Sequence, residues 1–249
     1  MHHRSVLFAF CFMLLTSGAV AQKYYLASSG ESIFSIGTVD AGDADIWPVL
    51  RFSPVFNFQE QVHFDFSRSF GIYTGLGIRN VGLISKVDYQ YSDSPNGTVQ
   101  KTATIKERAY GLGLPLLFKI GDMDDGVYFS AGAEAEVMFA YKRKIMEDDT
   151  KNKTSRWFDD RVNIFNPSVL AEVHFPKGQY LRFKYYLMDF LNYKGITLID
   201  GTNLPEYGEK SPLFYIAFGT IHLNKKYMKN EAVESTQTAY FKARKPVSE

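Results

Sequence analysis

The chain of 249 residues holds a single cysteine, Cys11. Beyond it no disulfide framework and no thiolate metal site can be built. Long apolar runs are missing as well: after Ala21 no stretch approaches the ~18 continuous apolar residues that a membrane-spanning helix needs. There is no excess of charge of one sign, with 28 Lys and Arg against 27 Asp and Glu and a formal net charge of +1, so no nucleic-acid partner is expected. No Pro/Gly/Ser-rich linker and no charge block divides the chain, which favours one large domain. Nucleophile-elbow, H-E-x-x-H and metal-spaced patterns are absent too. No catalytic, cofactor-binding or metal-ligating residue is therefore assigned, and enzyme activity is not expected.

What is present starts with a targeting signal. A short basic start with Arg4, an apolar run from Val6 to Leu15 and the small-residue site Ala19-Val20-Ala21 read as a signal peptide over residues 1–21. Aromatic residues make up 16% of the chain, with 21 Phe and 16 Tyr, a composition suited to strands and to the interfacial girdles of membrane barrels.

The strongest pattern is alternation. From Val127 to Lys142, Val127, Phe129, Ala131, Ala133, Ala135, Val137, Phe139 and Tyr141 share one face, opposite Tyr128, Ser130, Gly132, Glu134, Glu136 and Met138. This period of two runs well beyond the ~5–6 residues of an ordinary strand and suits the ~9–11 of a membrane-spanning one. Similar strands are predicted at Leu50 to Phe66, where only Glu60 breaks the apolar face, and at Phe70 to about Ser85, where the pattern blurs near Asn80 as a bulge would make it. Further strands follow at Thr102 to Phe118, Asn163 to Phe175, Tyr180 to Leu191 and Pro212 to Leu223, the last with apolar residues on both faces and no assignable orientation. Ser32 to Val39 completes eight.

Short connections (67–69, 120–125, 176–178) alternate with long polar ones (40–47, 88–101, 146–160, 194–210). That is the signature of an all-β, eight-stranded antiparallel up-and-down transmembrane β-barrel. It is placed at residues 22–224, with a polar periplasmic tail at 225–249 and both termini in the periplasm of a bacterial outer membrane. A soluble barrel would carry its bulky apolar residues inside. Here the polar face carries Gly111, Gly113, Ser130 and Gly132 instead.

Read with that period, the lumen receives Arg79, Glu107, Glu134, Glu136, Glu172, Arg182 and Lys184. Eight strands leave an interior about wide enough for side chains to fill, and buried charges must pair. These residues are expected to form an ionic network that plugs the barrel, with Glu172 beside Arg182 or Lys184. Trp157 and Phe158 are expected as interfacial anchors where a long loop meets the membrane. The expected partners are outer-membrane lipids and other outer-membrane or periplasmic proteins. A narrow transport pore is the alternative reading. A lipid-modifying barrel is a further alternative, with His63, His174 and His222 the available histidines, all near the short-turn end.

Four segments, LRFSPVFNFQ (50–59), DFSRSFGIYTGLGIRNVG (65–82), YGLGLPLLFKIG (110–121) and LRFKYYLMDF (181–190), resemble the small outer-membrane β-barrel domain proteins of Bacteroidota. The resemblance covers most of residues 46–224. It implies eight strands, a signal peptide and residence in the outer membrane. The family includes PorT-like barrels, which resemble accessory parts of a secretion and gliding apparatus.

Overall fold

A computed structural model describes residues 23–39, 46–93, 97–147, 150–192 and 210–223. The expected signal peptide, the expected C-terminal tail and most of the connections 40–47 and 194–210 lie outside the described residues. The strands are β1 (Lys23–Gly37), β2 (Ile46–Val49), β3 (Arg51–Ser53), β4 (Phe58–Asp65), β5 (Phe70–Asp93), β6 (Gly97–Asp122), β7 (Val127–Glu147), β8 (Thr150–Trp157), β9 (Phe165–His174), β10 (Gln179–Tyr186) and β11 (Leu213–Leu223).

Eight of them close a ring. Antiparallel pairing runs β1-β4-β5-β6-β7-β9-β10-β11, and β11 pairs back onto β1 from Ala27↔Leu223 to Gly37↔Leu213. Closure leaves no edge strand in the wall. β3 continues β4 along β1, while β2 and β8 pair with the far ends of β5 and β7.

The exposed and buried faces alternate as the sequence does, but with the bulky apolar residues outside. On β6 the outward row is Ile120, Phe118, Leu116, Leu114 and Leu112, all exposed, ending at Tyr110. Ten residue steps at ~3.3 Å, tilted by ~40°, give a belt roughly 25 Å tall, the height of an outer-membrane apolar band. Above Tyr110 the outward residues become Arg108 and Lys106, so the belt ends abruptly.

Several elements differ from the sequence reading. Leu50 to Phe66 is not one strand: after Ser53 the chain leaves the ladder at Pro54–Asn57, with Phe56 at φ 61°. The bulge expected at Asn80 is not there, since β5 keeps one register against β6 throughout. It lies at Phe139, where the β6–β7 register shifts between Tyr110↔Ala140 and Gly111↔Met138. The extra residue reverses the parity of β7, so Tyr141 points inward and is buried rather than sharing a face with Phe139. The connection expected at 146–160 contains β8, which folds back along β7 from Ala140↔Trp157 to Glu147↔Thr150. On β11 the orientation left open is resolved: Leu213, Tyr215 and Ala217 face in, and Phe214, Ile216 and Phe218 face out.

Candidate functional site

The interior has three layers. Nearest the short turns, four tyrosines flank two histidines: His63 stacks between Tyr25 (4.7 Å) and Tyr73 (4.9 Å), and His174 between Tyr128 (4.1 Å) and Tyr180 (5.2 Å). Lys119 spans this layer, paired with Asp65 and 3.1 Å from His63 Nδ1. Nearest the loops, Ile33, Val81, Leu83, Met138, Val162, Phe190 and Leu191 form an apolar cap.

Between them lies the charged layer. Arg182 projects from β10 and donates through Nε to Glu172 Oε1 (2.6 Å), through Nη1 to Glu31 Oε2 (2.6 Å) and through Nη2 to Gln59 Oε1 (3.1 Å). Arg79 on β5 mirrors it, donating through Nε to Glu31 Oε1 (2.8 Å), through Nη2 to Gln59 Oε1 (2.5 Å) and through Nη1 to Glu134. Lys184 bridges Glu134 Oε2 (2.9 Å) and Glu136 Oε2 (2.5 Å). Further partners gather on Glu172 Oε2: Tyr73 and Ser130 donate to it at 2.7 and 2.8 Å, and His174 Nε2 lies 2.9 Å away. Tyr186 donates to Glu136 at 2.9 Å. At such burial a charge is tolerable only with partners of this number and geometry.

The sheet makes room for these carboxylates by omission. A Cβ at Gly111 would collide with the Glu136 carboxylate, and one at Gly113 with that of Glu134. Both glycines lie on β6 beside β7, where Gly113 is the direct partner of Glu136.

Of the seven lumen candidates, the structure gathers Arg79, Glu134, Glu136, Glu172, Arg182 and Lys184 into one cluster. Glu107 stands apart in the apolar cap, accepting from Tyr141 (2.9 Å), with Arg143 Nε at 3.4 Å. The cluster's central residue, Glu31, was missed. Its signal was the odd-numbered run Ser29, Glu31, Ile33, Ser35 facing away from Phe34 and Ile36, hidden because Ser28, Gly30 and Ser32 are small or polar too. Gln59, which accepts from both arginines, and the hydroxyls of Tyr73, Tyr180 and Tyr186, which donate to the carboxylates, were missed because neutral groups carry no sign to match.

Trp157 and Phe158 are 73% and 59% exposed at the upper rim of the belt, and Trp157 stacks on Phe139 at 5.9 Å. Just beyond them Arg161 grips Asp159 with two bonds, Nε to Oδ1 at 2.8 Å and Nη2 to Oδ2 at 2.5 Å. That hydrogen-bonded grip, reinforced by the Arg161 backbone N–H, holds the Asp159 carboxyl below its usual range.

An exposed apolar belt around a closed, charge-filled eight-stranded ring defines a transmembrane β-barrel with a packed interior. No family model and no curated protein matches the chain. Among solved structures it is similar to Ail, the attachment invasion locus protein of Yersinia pestis, at 12% identity and TM-score 0.32, over 80% of this chain and 99% of that one. The complex of Ail with the heparin analogue sucrose octasulfate gives 11% and 0.34 over the same shares. The N-terminal β-barrel domain of Pseudomonas aeruginosa OprF gives 10% and 0.23, over 78% and 97%.

Proposed function

We propose that the protein is a non-enzymatic outer-membrane β-barrel whose interior is a solid ionic plug, and that it serves a structural or protein-interaction role in the cell envelope. Its short turns face the periplasm and its long loops the outside. Contacts with envelope proteins then fall to those loops and to the tail, and the resemblance to PorT-like barrels of Bacteroidota makes an accessory place in a secretion or envelope complex the specific form of this reading. The observation that carries it is the state of Arg79, Arg182 and Lys184. Their side chains are 0–1% exposed and each is consumed by carboxylates from other strands of the ring. A pore needs a continuous column of water where these groups meet.

Single-channel recording of the full chain in planar bilayers tests the plug. The expected result is no steady conductance, and large steady openings would refute it. Gentle detergent extraction of the tagged native protein followed by mass spectrometry tests the interaction role. Recovery as a lone monomer would count against it.

A further inference from the structure

Beyond the aromatic rim, the outward face of β5, β6, β7 and β8 is a grid of cations. Its first row is aromatic: Tyr110 lies opposite Ala140, and Ala140 opposite Trp157. The next row holds Arg108 opposite Lys142, both within 6.0 Å of the Tyr110 ring. The row after it holds three lysines side by side, Lys106 opposite Lys144 and Lys144 opposite Lys153. One row further out, Lys86 and Lys151 flank Thr104 and Met146.

Adjacent strands are ~4.8 Å apart and successive outward rows ~6.8 Å apart, so seven cations share a face roughly 15 Å on a side. None of them makes an ion pair among the described residues. The outward carboxylate nearest to them in these strands, Asp88, lies a row beyond and accepts from Thr102 at 2.6 Å. Like charges directly opposite one another weaken a sheet, and nothing in the fold requires three lysines in one cross-strand row. An anion lying over them would offset that cost.

We propose that this face binds the phosphate groups of phosphorylated glycolipids in the leaflet at the loop end of the barrel. Its position selects lipid over a soluble polyanion. The grid begins at the edge of the apolar belt, at the depth where headgroups meet acyl chains, and Lys and Arg stems there lie along apolar surface with their charges in the headgroup layer. The acyl chains of the same lipid would run down the Leu112–Leu114–Leu116 row directly below. The inference rests on the barrel spanning a membrane, but its test does not depend on which way the barrel is inserted.

The full chain, in uncharged maltoside micelles, is titrated with a bis-phosphorylated glucosamine glycolipid and with the same lipid after phosphatase treatment. The phosphorylated form is expected to bind at least about tenfold more tightly, with the preference shrinking as salt rises. Each lysine near a charged lipid surface is worth about a fivefold change in affinity, so the variant combining Lys106→Gln, Lys144→Gln and Lys153→Gln is expected to bind on the order of a hundredfold more weakly. A control with Arg68→Gln and Lys177→Gln, which removes cations at the short-turn end, is expected to bind as the parent does.

Folding of each variant is checked by its electrophoretic mobility without heating, and the triple variant is expected to melt no lower than the parent without lipid, since repulsion is removed. Equal affinity for the two lipids, an unchanged triple variant, or an equal loss in the control would overturn the proposal. So would displacement by inorganic phosphate at matched concentration, or tighter binding of a heparin oligosaccharide than of the lipid. Protease accessibility of the loops on intact cells tests the orientation separately.

Discussion

Replacing Arg182 by methionine puts the ionic interior under its most direct strain. The shorter methionine keeps an unbranched apolar stem but withdraws three donors at once, from Glu172, Glu31 and Gln59. Glu31 retains Arg79 at 2.8 Å and Tyr180 at 3.2 Å, while Glu172 retains Tyr73, Ser130 and His174. Hydrogen bonding therefore survives in part, but four carboxylates now face only Arg79 and Lys184. Breaking a buried pair by removing one partner costs about 3–5 kcal/mol. The surviving donors put the expected loss near the lower end, about 3 kcal/mol. Adding Glu172→Gln removes the stranded charge while keeping an acceptor for Tyr73, so the double variant is expected to recover about 1–2 kcal/mol rather than lose more, a coupling of the size seen between contacting groups. Urea unfolding in micelles, followed by Trp47 and Trp157 fluorescence, measures both. A loss below about 1 kcal/mol for Arg182→Met, or a double variant as unstable as the two single losses added, would refute the account of a mutually dependent charge cluster.

Other perturbations separate the remaining elements. Gly113→Val drives a side chain into the Glu134 carboxylate and is expected to cost more than the ~1–3 kcal/mol of ordinary overpacking, read as loss of the fast-migrating folded form on unheated gels. Trp157→Ala removes the exposed ring stacked on Phe139 and is expected to cost about 0.5–1.5 kcal/mol in vesicle-based refolding titrations, whereas an effect of the same size in micelles and bilayers would argue against an interfacial role. Asp159, held below the usual carboxylate range by Arg161, contributes stability that is complete above the unfolded carboxylate pKa of ~4 and is lost as pH falls through the lower folded value. Asp159→Asn is expected to flatten the acid limb of the melting-temperature profile there and to leave its shape near neutrality unchanged.

How much could be read in advance depended on chemical contrast. In β6, β7, β9 and β10 polar and apolar residues alternate, and parity alone places Glu134, Glu136, Glu172, Arg182 and Lys184 inside. Where the contrast fades, parity misleads. Phe139 and Tyr141 are both apolar, so the single inserted residue that turns Tyr141 inward leaves no trace in the pattern. Above Asn80 the interior changes from ionic to apolar, with Val81, Leu83 and Val87 facing inward, and this inversion mimics a register slip. Phe52, Phe56 and Phe58 alternate faultlessly across Pro54–Asn57, although the ladder is broken there. The segment at 150–157, TKNKTSRW, is polar on both faces because it lies outside the belt, and so resembles a loop. Glu31 was lost for the opposite reason, since its strand is small and polar on both faces through residues 28–32.

Glu31 lies on β1, while its two guanidinium partners lie on β5 and β10. β1 meets β11, β10's neighbour, along eleven residue pairs, and only when that junction forms can Arg182 reach Glu31. An unclosed sheet keeps Glu31 beside Arg79 through β4 but lacks both one ladder of hydrogen bonds and the ion pair that Arg182 makes with that shared carboxylate. The junction works as a clasp: zipping the backbone and neutralising the charges happen together, and parting it exposes both deficits to lipid at once. Such a wall is ill-suited to opening sideways to admit a client strand or a lipid. Its mechanical character is that of a rivet, fixed once driven.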